Sequence, residues 1–272
     1  MNPTTPDDFD NKDDMKVFEA AREGRLEDLD RLLREGFWPK SRKIDGQSPL
    51  MAAAWGGHAD CVARLLDVCN PSDFNLRGDD AMDAAIHGGQ ANCVRILAPA
   101  SAQDPKRRAR RLWAAIARGG VWGAQCLDAL SPTREDAAAR DGQGKTALMK
   151  AASQGKPEFI GPLLLLSDAM ERTSAGLTAL DFACKAAQDS ELDLRKNALA
   201  CVDLLAESAS IDHLRDVVLA VGRDAAPRAA AMVEAWELKT AAGQGESAIR
   251  GSEAPSGETP PEGRGQKPTL RI

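Results

Sequence analysis

The stretch Gly144-Lys145-Thr146 looks more like a reactive site than any other part of this 272-residue chain. Glycine followed by lysine and threonine ends phosphate-binding loops, where backbone N–H groups and the lysine hold phosphate oxygens. Such a loop also needs a glycine five positions before Gly144, and that position holds Ala139. No apolar strand precedes the triplet, because residues 136–140 read Asp-Ala-Ala-Ala-Arg. We therefore predict no nucleotide site here.

Residue types suited to catalysis or metal binding are sparse as well. The chain has three histidines, His58, His87 and His213, and none has a nucleophile or an orienting acid readable beside it in the sequence. Neither a Gly-x-Ser-x-Gly nor a His-Glu-x-x-His motif occurs. The six cysteines include no Cys-x-x-Cys pair. We expect no enzymatic activity, no cofactor and no metal site.

The cysteines are better explained as core residues. Cys61, Cys93 and Cys126 open similar apolar segments in successive parts of the chain. If these segments are neighbouring helices, their axes lie about 8–10 Å apart, beyond the roughly 7 Å across which a disulfide forms. We therefore expect small, buried, reduced side chains in a reducing cytoplasm.

A repeated motif must position whatever site the chain has. Residues 48–54, Ser-Pro-Leu-Met-Ala-Ala-Ala, return as 146–152, Thr-Ala-Leu-Met-Lys-Ala-Ala, and as 178–183, Thr-Ala-Leu-Asp-Phe-Ala. The apolar residue of each copy is an anchor, and anchors recur at spacings of 33, 32, 30, 36 and 32 residues. The six anchors are Val17, Leu50, Met82, Leu112, Leu148 and Leu180. A fixed period of this length predicts a stacked array that binds other molecules.

Each copy predicts two short helices. Small or apolar residues lie three and four positions after each anchor, as Ala53 and Ala54 do after Leu50, and this spacing places them on one helical face. A second apolar segment, such as 61–66, follows. The glycines that separate the two helices are Gly24, Gly57, Gly89, Gly119 and Gly155. Neither helix alone can bury a core, so stability must come from stacking.

On these residues the chain resembles the ankyrin-repeat family over about residues 14–210. The stretch 141–148, Asp-Gly-Gln-Gly-Lys-Thr-Ala-Leu, matches the family's turn-then-helix opening. Ser48 and Thr146 stand at its capping threonine, and Gly57-His58 matches its glycine-histidine pair. The chain departs from the pattern at the histidine after the anchor, at the turn glycine of the fourth copy and in two insertions. These departures are Met51, Asp83, Trp113, Met149 and Asp181; Arg108; and the stretches 121–123 and 188–196.

We accordingly predict an all-α ankyrin-repeat solenoid of about six helix-turn-helix repeats with a C-terminal helical cap and disordered termini. The predicted boundaries are a disordered acidic leader at 1–13, the array at 14–210, capping helices at 211–240 and a disordered tail at 241–272. The acidic amino terminus lacks the pattern of a signal peptide, and no apolar stretch approaches the roughly 20 residues that span a bilayer. We expect a cytoplasmic monomer that does not contact membranes.

The resemblance implies a protein partner bound on a concave face made of turn tips and first helices. The net charge is −6, yet basic residues gather near two expected tips, at 40–43 and at 106–111. This segregation would steer a partner that carries an acidic segment, with Trp55 as an aromatic anchor. The predicted contact residues are Arg42, Lys43, Gln47, Trp55, Arg77, His87, Lys106, Arg107, Arg118 and Lys145.

Several alternatives stay open at this point. The basic clusters are equally compatible with ordinary solvated surface, Trp55 with packing between repeats, and Trp113 with a place in or near the core. The run Lys106–Arg111 also suits nucleic acid, although the acidic overall balance and the absence of interleaved aromatic residues count against it. Among protein-binding functions, the chain suits an effector secreted into a host cell without a classical signal peptide. It also suits an inhibitor or immunity protein for one dedicated partner.

Overall fold

The computed structural model describes residues 12–37, 46–101, 104–189 and 192–252. These residues form fifteen α-helices and no strand. The helices are α1 Lys12–Glu23, α2 Leu26–Arg34, α3 Pro49–Gly56, α4 Ala59–Leu66, α5 Ala81–Gly88, α6 Ala91–Leu97, α7 Pro105–Arg118, α8 Gly120–Leu130, α9 Arg134–Ala138, α10 Ala147–Ser153, α11 Pro157–Leu164, α12 Ala179–Asp189, α13 Leu192–Ala206, α14 Ile211–Val221 and α15 Pro227–Ser252. One turn of 3-10 helix, Ala98–Ala100, follows α6.

The helices stack in two layers. The first helices of the repeats, α1, α3, α5, α7, α10 and α12, each pack on the next one along the chain. The second helices, α2, α4, α6, α8, α11 and α13, do the same in the other layer. The short helix α9 packs on both α7 and α10. The predicted all-α solenoid of six helix pairs is confirmed.

The core lies where each repeat meets its neighbours. All six predicted anchors are buried, and so are the small residues three and four positions after them, including Ala53 and Ala54. Small side chains are needed because the first helices come very close: a Cβ atom added to Gly88 would lie 2.4 Å from the carbonyl oxygen of Trp55. Trp113 packs, partly buried, against the core, as predicted.

Polar side chains begin the first helices. The hydroxyl oxygens of Ser48 and Thr146 accept the backbone N–H groups of Met51 and Met149 at 3.3 and 3.4 Å. At α5 the cap is the carboxylate of Asp80. These caps satisfy backbone donors that no carbonyl of the helix reaches, and each one fixes where its repeat begins.

The glycine turns between paired helices form a ladder along one edge of the array. Gly57 ends α3 with φ at 82°, in the left-handed region. In the second, third and fifth repeats the residue after the turn glycine lies over the glycine of the previous repeat. His58 covers Gly24 in this way and places Nε2 2.9 Å from the carbonyl oxygen of Arg22, and Gln90 covers Gly57. His58 is therefore a structural residue, as its glycine-histidine context predicts.

In the fourth repeat a helix occupies the place of the predicted turn tip. In the third repeat the tip is closed by the N–H of Asn75, which donates to the carbonyl of Asp79 at 2.9 Å, and the stretches 141–145 and 173–177 close in the same way. In the fourth repeat α7 begins instead at Pro105 and runs for 14 residues. The prediction that Lys106 and Arg107 form a tip is therefore wrong. Proline suits the first position of a helix, and Arg108 replaces the glycine that the turn requires.

Arginines of α7 instead pair with carboxylates on neighbouring elements. Arg111, with a side chain only 2% exposed, has Nη2 2.5 Å from Asp80 and Nε 3.1 Å from Asp83. Arg107 lies 3.1 and 3.2 Å from the same two carboxylates. Further pairs join Arg110 to Asp79 at 2.9 Å and Arg108 to Asp136 at 2.6 Å. We call Asp80, Asp83, Arg107 and Arg111 the arginine clamp; it joins the start of α5 to the start of α7.

The predicted insertions lengthen helices rather than loops. Residues 121–123 lie in the first turn of α8. The stretch 188–196 covers the end of α12 and the beginning of α13, and its residues 190 and 191 lie outside the described part of the chain. Both helices of the sixth repeat are accordingly longer than those of the second repeat.

The helix pair α14–α15 continues the stack, with α14 on α12 and α15 on α13. Nε2 of His213 in α14 lies 2.8 Å from Oδ1 of Asp181 in α12. Burial of Asp181 acts to raise the pKa of its carboxyl, but hydrogen bonds from Thr178 and His213 outweigh it and lower this pKa below its ordinary value. The carboxylate is thus retained in mildly acidic solution, together with its contact to the cap.

Both predicted termini differ from the helix bounds that the structure describes. The first helix begins at Lys12, inside the predicted leader, and residues 1–11 lie outside the described part. The last helix continues to Ser252, twelve residues past the tail boundary predicted at 240. Alanine, glutamine and glutamate in 241–247 favour the continued helix despite two glycines. Residues 253–272 lie outside the described part.

Five cysteines are buried as free thiols: Cys61, Cys93, Cys126, Cys184 and Cys201. Burial raises the pKa of Cys93 to about 11. It raises the pKa of Cys184 and of Cys201 to about 12. Cys69 is half-exposed. Since the thiolate is the reactive form, the buried thiols behave as small apolar residues, as predicted.

The substitution Ala53→Leu tests the closest helix contact. Leucine would overpack the fully buried face of α3, and we expect urea denaturation to show a free energy of unfolding lower by about 1–3 kcal/mol. The matched control is Ala63→Leu on the exposed face of α4, which should change it by less than about 0.5 kcal/mol. Equal effects of the two substitutions would contradict the assigned packing.

The substitution Arg111→Ala tests the arginine clamp. It leaves two buried carboxylates with one partly exposed guanidinium, and we expect a loss of about 3–5 kcal/mol in the free energy of unfolding. Arg110→Ala, on the same helix, removes a guanidinium that is 53% exposed and should cost less than about 1 kcal/mol. A loss at Arg111 no greater than that at Arg110 would show that the clamp does not stabilise the array.

Thiol titration of the native protein tests cysteine burial. At pH 8 we expect Cys69 to react first with an aromatic disulfide reagent. The five buried thiols should react more than about a hundredfold more slowly, because burial and a raised pKa both deplete the accessible thiolate. In denaturant all six should react together. A second fast thiol in the native protein would be inconsistent with this structure.

Candidate functional site

A row of side chains lies in register on the first-helix layer. These residues stand five positions after each anchor, at the end of the helix away from the tip, and in order they are Arg22, Trp55, His87, Ala117, Ser153 and Lys185. Trp55 is 55% exposed, so its indole lies mostly on the surface rather than between repeats. Because the first helices stack in parallel, the row runs along the whole array.

The turn tips form a second row beside the first. In the third repeat Oδ1 of Asn75 accepts the N–H groups of Arg77 and Asp79 at 2.8 and 2.9 Å. Asp141 does the same in the fifth repeat. These side-chain bonds hold each tip in one conformation. Leu76, at the tip of the third repeat, is 79% exposed and touches too little of the protein to serve as a core residue.

Two lysines lie over aromatic rings in the C-terminal half of this surface. The ammonium of Lys150 is 5.6 Å from the ring centre of Trp113, and that of Lys145 is 4.6 Å from the ring centre of Phe182. Both distances suit a cation–π contact, which holds the ammonium near the ring without neutralising its charge. Lys150 also lies 3.8 Å from a carboxylate oxygen of Asp141. Each of these two ammonium groups therefore lies on the surface above an aromatic ring.

The predicted contact residues differ in how exposed they are and in what they contact. Trp55, Arg77, His87, Lys106 and Arg118 are exposed, whereas Gln47 and Lys145 are half-buried. Arg42 and Lys43 lie outside the described residues. Arg107 belongs to the arginine clamp, and its guanidinium stacks 4.3 Å from the ring centre of Phe74. The predicted residues therefore do not form one uniform basic patch.

Sequence reasoning missed several residues of this surface. Leu76 lies in a tip that was identified, but no pattern distinguishes an exposed leucine there from a buried one. Lys150 and Phe182 stand two positions after their anchors, and both are half-buried. Asp80 and Asp83 gave a usable signal, since acids at a capping position and at the family's histidine position need cationic partners when buried.

The described residues show no arrangement suited to metal chemistry. Among them, no group of three or more histidine, cysteine, aspartate or glutamate side chains is placed to hold a metal ion. None of the described helices is both long enough and apolar enough to cross a bilayer. What the surface offers is shape, exposed apolar side chains and positive charge, which are the means of recognising another macromolecule.

Comparison with known proteins agrees with this architecture. A family model for ankyrin repeats, in three copies, matches residues 17–109. No curated protein sequence matches the chain.

Solved structures extend the likeness beyond that segment. One is a chain from the predatory endopeptidase Bd0816 of Bdellovibrio bacteriovorus in complex with immunity protein Bd3460, 22% identical with a TM-score of 0.56, covering 71% of this chain and 98% of that one. Another is the ankyrin repeat domain of Bcl-3, 20% identical with a TM-score of 0.55, covering 72% and 86%. A third is the ankyrin repeat protein EF0377, 18% identical with a TM-score of 0.55, covering 71% and 98%. At these identities the likeness shows the fold, and the family model shows ankyrin repeats within residues 17–109.

Proposed function

We propose that the chain is a non-catalytic interaction module that binds a protein on the surface formed by its first helices and turn tips. The observation that carries this proposal is the exposure of Trp55 and Leu76, at 55% and 79%, on that surface. Covering large apolar side chains with a partner lowers the free energy of the complex, and tryptophan contributes much of the binding energy in many interfaces. The rigid tips limit the ordering cost of binding.

The charge of this surface favours a partner with an acidic segment. Arg118 and Lys185 lie along the first-helix row or next to it, and Lys145 and Lys150 lie closer to the tips. These groups replace the arginine run as the source of positive charge, because the clamp engages Arg107 and Arg111 within the chain. Positive charge on an otherwise acidic protein would speed the approach of an acidic partner and orient it.

A nucleic-acid function through Lys106–Arg111 receives no support from the structure. Each of the four arginines in this run has a carboxylate within 3.2 Å. Binding phosphate there would require breaking pairs that join α7 to the start of α5 and to α9. Lys106 alone would supply too little charge for the salt-dependent binding expected of such proteins.

A second candidate is inhibition of one dedicated partner. One structural neighbour comes from a complex of an endopeptidase with an immunity protein. A rigid array with an apolar anchor beside positive charge suits such a role, because it can cover an acidic site without changing shape. The two candidates differ in outcome: an adaptor leaves the activity of its partner intact, whereas an inhibitor abolishes it.

Quantitative capture from a native lysate tests the proposed surface. The variant Trp55→Ala with Lys145→Glu removes the anchor and reverses one charge. We expect it to lose a partner that the wild-type chain retains, and we expect wild-type capture to weaken as salt rises. The matched control is Leu165→Ala, which truncates a side chain 78% exposed just after the second helix α11.

Equal capture by the wild-type chain, the double variant and the control would place the interface elsewhere. Circular dichroism and urea unfolding of each variant would show that the array is still folded. Assaying the captured partner with and without the chain would then separate adaptor from inhibitor.

A further inference from the structure

The extra turn of α8 exposes two apolar side chains at the glycine edge of the array. Val121 is 68% exposed and Trp122 is 58% exposed. They adjoin each other in the first turn of α8, within the stretch that departs from the repeat pattern. Neither is needed to fill the core, and leaving a valine and a tryptophan side by side in water is unfavourable.

The reason for this exposure is a break in the glycine ladder. His58 and Gln90 each lie over the turn glycine of the preceding repeat, but the corresponding residue in the fourth repeat is Gly120, which has no side chain. The Cβ of Trp122 takes that place: it would lie 3.0 Å from a Cβ added to Gly89. The start of Trp122 therefore packs on the ladder while most of its indole remains accessible.

Two clefts lie at this edge, one lined by Val121 and the other by Trp122. One has a volume of about 790 Å³ and is lined by residues of α8, of α13 and of the start of α11 with the turn before it, among them Val121, Gln125, Lys156 and Asn197. The other has a volume of about 330 Å³ and is lined by residues that include Gln90, Asn92 and Trp122. Gln125 lines both clefts, so they adjoin, and we call the two together the edge groove.

The edge groove carries balanced charge. Arg95 lies 3.5 Å from Asp128. Lys156 and Glu158 both line the larger cleft, and the carboxylate of Glu158 accepts a hydrogen bond from the backbone N–H of Gly120 at 2.6 Å. Its other polar groups are the side-chain amides of Gln90, Asn92, Gln125 and Asn197. Amides both donate and accept hydrogen bonds, as the main chain of a peptide does. This composition contrasts with the positive surface on the first helices.

We propose that the edge groove is a second binding surface, which takes an extended, uncharged peptide segment with apolar side chains from a partner protein. Trp122 and Val121 contact the apolar side chains, and the amides on either side bind the peptide main chain. A neutral segment fits because a groove lined by equal numbers of cationic and anionic side chains gains nothing from a charged ligand and would have to desolvate it. The module then holds two proteins at once, one on each surface.

A random library of twelve-residue peptides displayed on phage, selected on the full-length chain, tests this proposal. We expect enriched peptides of low net charge whose affinity falls more than about tenfold in Trp122→Ala, since tryptophan anchors dominate such contacts. Alanine retains the Cβ over Gly89, so this variant should unfold in urea as the wild-type chain does. Trp55→Ala is the matched control and should bind these peptides unchanged.

Three results would overturn the proposal. They are the absence of any enriched neutral peptide, enriched peptides insensitive to Trp122→Ala, and enriched peptides that depend on Trp55 instead. Sedimentation equilibrium adds a fourth: if the wild-type chain dimerises and Trp122→Ala does not, the occupant of the groove is a second copy. The absence of enriched peptides, or their insensitivity to Trp122→Ala, would leave the proposed first-helix surface untouched, whereas dependence on Trp55 would support that surface.

Discussion

Each helix of this array buries its apolar side chains only by packing on neighbouring helices, and the close approach of the first helices makes that packing possible. With alanines on the packed face and less than a methyl group's space between Gly88 and the backbone at Trp55, neighbouring repeats leave no room for adjustment. Such contact fixes the rotation and rise from one repeat to the next. The tips, the first-helix row and the glycine ladder all inherit their regular spacing from it.

The fourth repeat departs from this regularity at both of its ends. At its start a helix of 14 residues replaces the turn, and arginines on that helix neutralise the acids at the start of α5. At its second helix, an extra turn replaces the covering side chain of the ladder with Trp122. A repeat that had only to stack would need neither change. One of them strengthens a junction, and the other creates an exposed apolar feature.

Much of this architecture was predictable from the sequence, because period, anchors and turn glycines are local signals that recur in phase. Ser48, Thr146 and Gly57 occupy their expected places for the same reason. The arginine run was misassigned because charge pairing depends on which acids lie opposite, and Asp80 precedes Arg111 by 31 residues. Exposure of Leu76 or Trp122 was likewise invisible, since it depends on what neighbouring repeats fail to cover. The sequence predicts which helices and turns form the binding surface, but it does not predict which of their side chains are exposed there.

The arginine clamp also limits how this gene can change in length. Arrays of this kind grow and shrink by duplicating or deleting whole repeats, and most junctions tolerate that because one apolar face resembles the next. The junction between α5 and α7 does not: separating it would leave Asp80 and Asp83 buried without a cation, and Arg111 buried without an anion. Inserting a repeat between the third and fourth repeats would therefore cost more stability than inserting one at a junction that apolar residues alone hold together.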